Sequence, residues 1–227
     1  MFETILAADL GSSQTRLATK NEILTEESRA ALDPEDTCRV LEVGDRARRL
    51  LNTAEAFPVR NGAIADAALA AVMLRRFALK LIKRRPLFGA SLTIAAPLAA
   101  KPIERAAALE TGRGAGFRRV RIVDSLLAGA EGAGLDITGH GARMLADIGR
   151  DSVKTAVFAS GGIIAESFAR FGSSAADRGI RTFLAEEHRL LVGARTAERL
   201  KKSLGAPLIR VNGRDASTGL PVSRDIR

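Results

Sequence analysis

Two runs of this 227-residue chain carry the residue types best suited to chemistry, and they share one plan. AADLGSSQTRLA (7–18) and LADIGRDSVKTAV (145–157) each put Ala-Asp-aliphatic-Gly at the end of an apolar strand, then enter a second strand after a hydroxyl-bearing turn. Two such hairpins facing each other can clamp a polyphosphate. Gly11 and Gly149 would let backbone N–H groups approach the oxygens, and Asp9 and Asp147 can hold a hydrated Mg²⁺ between them. A single Asp-x-Gly hairpin is an ordinary turn; its duplication is what favours the phosphate reading. Other chemistries have less to work with. His140 and His188 stand apart from any Cys or second His at ligand spacing, which argues against a metal site built from protein ligands alone. Neither has a Ser or Cys partner that the sequence identifies, so nucleophilic catalysis has no support.

The elements that must position these runs alternate in type. Strands are predicted at 4–10 and 14–19 around the Gly11-Ser12-Ser13 turn, with a third near 22–24. DAALAAVMLRRFALKLIKRR (66–85) spaces Leu69, Val72, Met73, Phe77 and Leu81 for one helix face, and Pro86 stops it. ASLTIAAP (90–97) reads as a buried strand, Pro102 opens a helix to about 110, RRVRIVD (118–124) is a strand, and SLLAGAEGAG (125–134) a small-residue helix. This alternation predicts an α/β fold with helices flanking mixed sheets. Past a Gly-rich link at 134–141, residues 144–172 give three strands that repeat the opening meander. Helices near 176–189 and 196–204 follow, then a hairpin over 207–223.

Composition narrows the class. Hydrophobic residues make up 46 % of the chain, enough to fill a core, while Trp and Tyr are absent, which lowers the odds of sugar- or base-stacking sites. A net charge of +9 favours anionic partners. Basic residues at Arg113, Arg118, Arg119 and Arg121 lack the interleaved aromatics or binding module that nucleic acid would call for, so no nucleic-acid partner is expected. One cysteine, Cys38, and no signal peptide before Phe2 predict a cytoplasmic protein. The stretch 86–100 is too short and too broken to span a membrane.

The duplicated hairpins resemble those of the actin, heat-shock-chaperone and sugar-kinase superfamily. Within it the chain is similar to the MreB/Mbl group of bacterial actins, which determine rod shape. The likeness runs in order through DLGSSQT, VGDRARRLL (43–51), NGAIAD (61–66), APLAAKPIERAA (96–107), GAGLDI (132–137) and the second hairpin. It continues through VGARTAERLKKSLG (192–205) and VNGRDASTGLP (211–221). The resemblance implies an actin-like (ribonuclease H-like) ATPase fold and a filament-forming protein that binds ATP and Mg²⁺ under the inner membrane and organises wall synthesis. Carried over by position, Asp9, Gly11, Ser12 and Ser13 form the first phosphate loop and Asp147, Gly149, Arg150 and Ser152 the second, with Asp9 and Asp147 as the metal carboxylates. Arg195, Glu198 and Lys201 match positions near the nucleoside; they read equally as a solvated helix face. By the same resemblance residues 1–141 make a first actin-like domain with a small insert at about 25–65. Residues 142–227 make a second, which ends before the family's adenosine loop and closing helix.

Three departures bear on activity. The family's second loop reads Asp-aliphatic-Gly-Gly-Gly-Thr, whereas Arg150 and Asp151 replace two glycines here; Arg150 could meet phosphates directly, and Asp151 would bring negative charge near the γ-phosphate. The family's acidic pair before Pro is Asp124-Ser125-Leu126, so Asp124 is the catalytic candidate for positioning water and equally a helix N-cap. The third is the end of the chain, and together they predict weak or absent hydrolysis. KLIKRRPLFGAS (80–91) sets Lys83, Arg84 and Arg85 beside Leu87 and Phe88, suited to an anionic membrane surface or, alternatively, to capping the core. The expected partners are the chain itself or a full-length actin-like relative, the inner-membrane surface and the cell-wall synthesis machinery. The alternative is a nucleotide-inactive pseudo-actin that modulates filaments of longer relatives. A sugar kinase would need a catalytic base and a sugar pocket, and neither is visible.

Overall fold

A computed structural model describes residues 4–82, 90–97, 100–139, 141–203, 205 and 207–226. The chain forms two compact units, 1–170 and 171–227. In the first, β1 (Thr4–Leu10), β2 (Gln14–Ala18) and β3 (Ile23–Glu27) make the opening meander. Short strands β4 (Ala30–Leu32), β5 (Val40–Val43) and β6 (Ala54–Ala56) form a separate small sheet, with a 3₁₀ turn at Gly44–Arg49. Next come a hairpin of β7 (Val59–Arg60) and β8 (Ala63–Ile64), then α1 (Ala67–Leu81), β9 (Ala90–Ala96), α2 (Pro102–Gly114), β10 (Arg119–Asp124) and α3 (Ser125–Gly132).

The order β10-β9-β1-β2-β3 makes the main sheet, parallel from β10 to β1 and antiparallel beyond. Its alternating residues Leu6, Leu17, Leu92 and Ile94 are fully or almost fully buried. Against them α1 turns Ala70, Met73, Leu74, Phe77 and Ala78, the three-and-four spacing of one helix face. Burying a side chain of this size contributes about 1.5–3 kcal/mol. Asp66 starts α1 by accepting the Leu69 N–H at 2.9 Å. Pro102 and Glu104, whose carboxylate reaches back to the Lys101 N–H at 2.9 Å, start α2.

A second sheet in the same unit runs β11 (Arg143–Ile148), β12 (Val153–Ala159) and β13 (Gly162–Ala169), all antiparallel. Ala156 and Phe158 of β12 pack with Leu126 and Ala130 of α3. The other unit holds α4 (Ser173–His188), β14 (Leu190–Leu191), α5 (Ala194–Lys202), β15 (Ile209–Asp215) and β16 (Pro221–Ile226). Its own core is Leu184, Leu190, Val192, Leu200 and Val211. Among the described residues no helix is long and apolar enough to cross a membrane.

The helix expected over 66–85 is α1, described to Leu81; the membrane candidates Lys83, Arg84, Arg85, Leu87 and Phe88 lie outside the described residues.

Candidate functional site

Parallel pairing brings the chemistry to one rim. Asp9 stands in register with Ala95, and Asp124 with Ala96, at the carboxyl ends of β1, β9 and β10. Such strand ends are where α/β sheets leave a crevice for ligands. With strands spaced about 4.8 Å, the Asp9 and Asp124 backbones are roughly 10 Å apart.

The two hairpins match beyond their aspartates. Asp9 faces Arg16 across the β1–β2 ladder, and Asp147 faces Lys154 across β11–β12. The pairs are closed at 3.1 Å (Arg16 Nη1 to Asp9 Oδ2) and 2.9 Å (Lys154 Nζ to Asp147 Oδ2). Gly11 donates its N–H to the Gln14 carbonyl at 3.1 Å, and Gly149 to the Ser152 carbonyl at 2.8 Å. A Cβ at Gly11 would lie 2.7 Å from that carbonyl oxygen, so the first turn closes this tightly only around glycine; at Gly149 the distance would be 3.0 Å, a tight contact that the second turn would have to ease slightly.

A buried hydroxyl pair braces the first turn from behind. Ser28 donates its Oγ hydrogen to the Gly11 carbonyl at 2.5 Å and its N–H to the Ser13 carbonyl at 3.0 Å, while Thr15 Oγ1 lies 2.9 Å from Ser28 Oγ.

A third turn touches both loops. Asn61 and Gly62 join β7 to β8 with left-handed φ of 52° and 73°, the signature of a type I′ hairpin. The Gly62 N–H donates to Ser12 Oγ at 3.1 Å and the Asn61 N–H to Asp151 Oδ2 at 3.2 Å. Ser152 is buried against the same turn, its Oγ 2.9 Å from where a Gly62 Cβ would stand. Arg170 holds the turn from the far side, donating to the Asn61 carbonyl at 3.1 Å and to Glu104 Oε1 at 2.7 Å. That hydrogen bond to Arg170 holds the Glu104 carboxyl below its ordinary range.

These residues fit a magnesium-bound polyphosphate. The Asp9 and Asp147 side chains are each 48 % exposed; the Asp9–Arg16 pair is exposed on both sides and is worth only about 0–1 kcal/mol, so Asp9 can leave its cation for a hydrated metal at small cost, whereas Asp147 is held by Lys154, whose side chain is 15 % exposed. The N–H groups of Ser12, Ser13, Arg150 and Asp151 find no acceptor among the described residues, leaving donors at both loop tips. Arg150 Nε lies 3.9 Å from Asp151 Oδ1, with its side chain 42 % exposed.

Asp124 is the N-cap of α3. Its Oδ1 accepts the Leu126 and Leu127 N–H groups at 2.9 and 2.8 Å, while Oδ2 and the neighbouring Ser125 Oγ are buried with no partner among the described residues. Within the second unit, Arg195, Glu198 and Lys201 all belong to α5. Lys201 pairs with Asp177 at 2.8 Å and donates to the Ser173 carbonyl at 3.2 Å, and Glu198 pairs with Lys202 at 2.8 Å.

Arg16, Lys154, Ser28, Asn61, Gly62 and Arg170 are absent from the set singled out by motif. Four of them had a signal: a cation, Arg16 or Lys154, follows each aspartate by the same interval, and Asn61-Gly62 inside VRNGAI marks a two-residue hairpin.

The sequence profile of the family described as MreB/Mbl protein matches residues 3–227. The chain belongs to the MreB/Mbl family. Cell shape-determining protein MreB of Escherichia coli K12 is 30 % identical over 240 residues, covering 97 % of this chain and 69 % of that one. Cell shape-determining protein Mbl of Bacillus subtilis 168 is 29 % identical over 235 residues, covering 97 % and 70 %. Among solved structures, MreB5 of Spiroplasma citri bound to AMPPNP superimposes with a TM-score of 0.91 at 23 % identity, over 100 % of this chain and 72 % of that one. The MamK double helical filament gives 0.77 at 18 % identity, over 98 % and 72 %. The fold is therefore actin-like, as the duplicated hairpins led us to expect, and this MreB/Mbl member comes from a family of cell-shape cytoskeletal proteins.

Proposed function

We propose that this MreB/Mbl chain binds Mg-ATP between the hairpins that follow Asp9 and Asp147, and assembles with itself or a longer actin-like relative at the cytoplasmic face of the inner membrane. One observation carries the nucleotide reading: two hairpins with the same aspartate, glycine and cation geometry, bonded to one shared turn. Mg²⁺, when bound, neutralises phosphate charge. Asp9 and Asp147 would hold its waters, the loop N–H groups of Ser12, Ser13, Arg150 and Asp151 would receive phosphate oxygens, and the exposed Arg150 guanidinium would add a charge-assisted contact. MreB5 of Spiroplasma citri has been solved with AMPPNP and with ADP, which supports a nucleotide here.

Asp124 commits one carboxylate oxygen to capping α3 and has the other buried, which leaves it poorly placed to orient an attacking water, so hydrolysis is proposed to be slow. Arg195, Glu198 and Lys201 are assigned to the nucleoside side, and the two actin-like halves to either side of residue 141, by resemblance alone. Membrane attachment through Lys83, Arg84, Arg85, Leu87 and Phe88 rests on their sequence, and partnership with wall-synthesis proteins on the family. The MamK filament supports self-assembly. The matched relatives are shape-determining proteins themselves and do not favour the pseudo-actin alternative.

Calorimetric titration of Mg-ATP into the folded chain, with Asp9→Ala as control, tests the reading. Heat that vanishes in Asp9→Ala supports it; no heat from the wild-type chain with either Mg-ATP or Mg-ADP sinks it. Sedimentation with anionic liposomes then tests assembly at a membrane.

A further inference from the structure

The Asn61–Gly62 turn is bonded to both loop tips, to Ser12 on one side and Asp151 on the other, so it closes one end of the space between them. The phosphate tail is the narrow end of a nucleotide, and it is the end that a site closed in this way takes inward. What the terminal phosphate would meet there is a negative charge. The Asp151 side chain is only 19 % exposed, and its Oδ2 already takes the Asn61 N–H. The Gly62 N–H is likewise occupied, by Ser12. The turn that could have offered two adjacent donors to a third phosphate has given one of them to a carboxylate.

We propose that the Asp151 carboxylate stands in for the terminal phosphate of a triphosphate, and that the site therefore selects a nucleoside diphosphate. This rests on the nucleotide reading above and names which nucleotide the site takes. A triphosphate must displace Asp151 from Asn61 or lie beside a charge of its own sign, and a fixed charge at contact distance in a partly buried site weakens binding by about tenfold or more. Arg150, at 3.9 Å, offsets part of that charge, and Arg170, although bonded to the turn, is shared with Glu104. A diphosphate stops one unit short of the carboxylate and keeps the donors at Ser12, Ser13, Arg150 and Asp151.

The measurement is calorimetric titration of Mg-ADP and Mg-AMPPNP into the full chain and into Asp151→Asn and Asp151→Gly. Asp151→Asn removes the charge at nearly constant shape, so it remains informative if the glycine variant folds poorly. The expected result is Mg-ADP binding roughly tenfold or more tightly than Mg-AMPPNP in the wild-type chain, with Asp151→Asn narrowing the ratio by strengthening Mg-AMPPNP alone. Equal affinities in the wild-type chain, or a ratio unmoved by Asp151→Asn, overturn the selectivity while leaving the nucleotide site standing. Weaker Mg-AMPPNP binding by Asp151→Asn overturns it too, and makes the carboxylate a magnesium ligand. Neither nucleotide binding any of the three proteins overturns both readings together.

Discussion

Thr15 Oγ1 and Ser28 Oγ lie 2.9 Å apart in the core, and the hydrogen bond between them can run in only one direction. Ser28 spends its hydroxyl hydrogen on the Gly11 carbonyl at 2.5 Å, so Thr15 must be the donor. Both side chains are almost entirely buried. The relay thus fixes the backbone of the first loop from the core.

Direction makes the two hydroxyls unequal. Ser28→Ala strands the Thr15 hydroxyl and the Gly11 carbonyl, and is expected to cost about 1–3 kcal/mol. Thr15→Val leaves Ser28 still bonded to Gly11, and should cost nearer 0.5–1.5 kcal/mol. Urea denaturation of the two variants checks the order, and a larger loss for Thr15→Val would refute the relay.

Asp124 can be asked to reveal which of its roles matters. Asp124→Ala should lose about 1 kcal/mol of stability with the cap, whereas Asp124→Asn keeps a capping oxygen and should stay within a few tenths. Any slow phosphate release from ATP should fall in Asp124→Asn while its denaturation midpoint holds. If both variants keep full hydrolysis, Asp124 is a cap and nothing more.

Acid should loosen the turn that joins the loops. Arg170 holds the Glu104 carboxyl below its ordinary value of 4.5, so the unfolded chain takes up that proton first as pH falls. The link's contribution is complete above pH 4.5 and is lost as pH drops through the lowered folded value. The pair is partly exposed and its contribution is small. The stability gap between the wild-type chain and Arg170→Ala should shrink on acidification below that point; a gap independent of pH would dismiss the ion pair as its origin.

Phe77 is the largest fully buried side chain of the α1 face, with Lys80 Nζ 5.3 Å above its ring. Phe77→Ala should cost about 3–5 kcal/mol, while Ile23→Ala, at a position 76 % exposed, should be nearly neutral. Thermal melts of both variants test whether the core sits where the helix period places it.

The main sheet was legible because each strand has its own punctuation. Gly11-Ser12-Ser13 separates β1 from β2, Pro97 follows β9, and Asp124 both ends β10 and caps α3. The short strands between 30 and 64 were not, since two- and three-residue strands such as Val59–Arg60 carry too few positions for alternation to show. The site divides the same way. Repetition betrayed the aspartates and glycines of both loops, because sequence similarity survives separation along the chain. The bracing did not show itself. Asn61 reaches Asp151 across 90 positions and Arg170 reaches Glu104 across 66, and contacts at such separations leave no local pattern.

The turn between the loops also bears on how the protein ages. An Asn-Gly sequence loses its side-chain amide when the glycine nitrogen attacks the asparagine side chain, which requires that nitrogen to be exposed and free to move. In this fold the Gly62 N–H is committed to Ser12, and both residues have left-handed φ. Ser12→Ala should speed deamidation at Asn61, readable by peptide mapping of stored protein. The hydrogen bond that aligns the loops thereby also acts as a preservative.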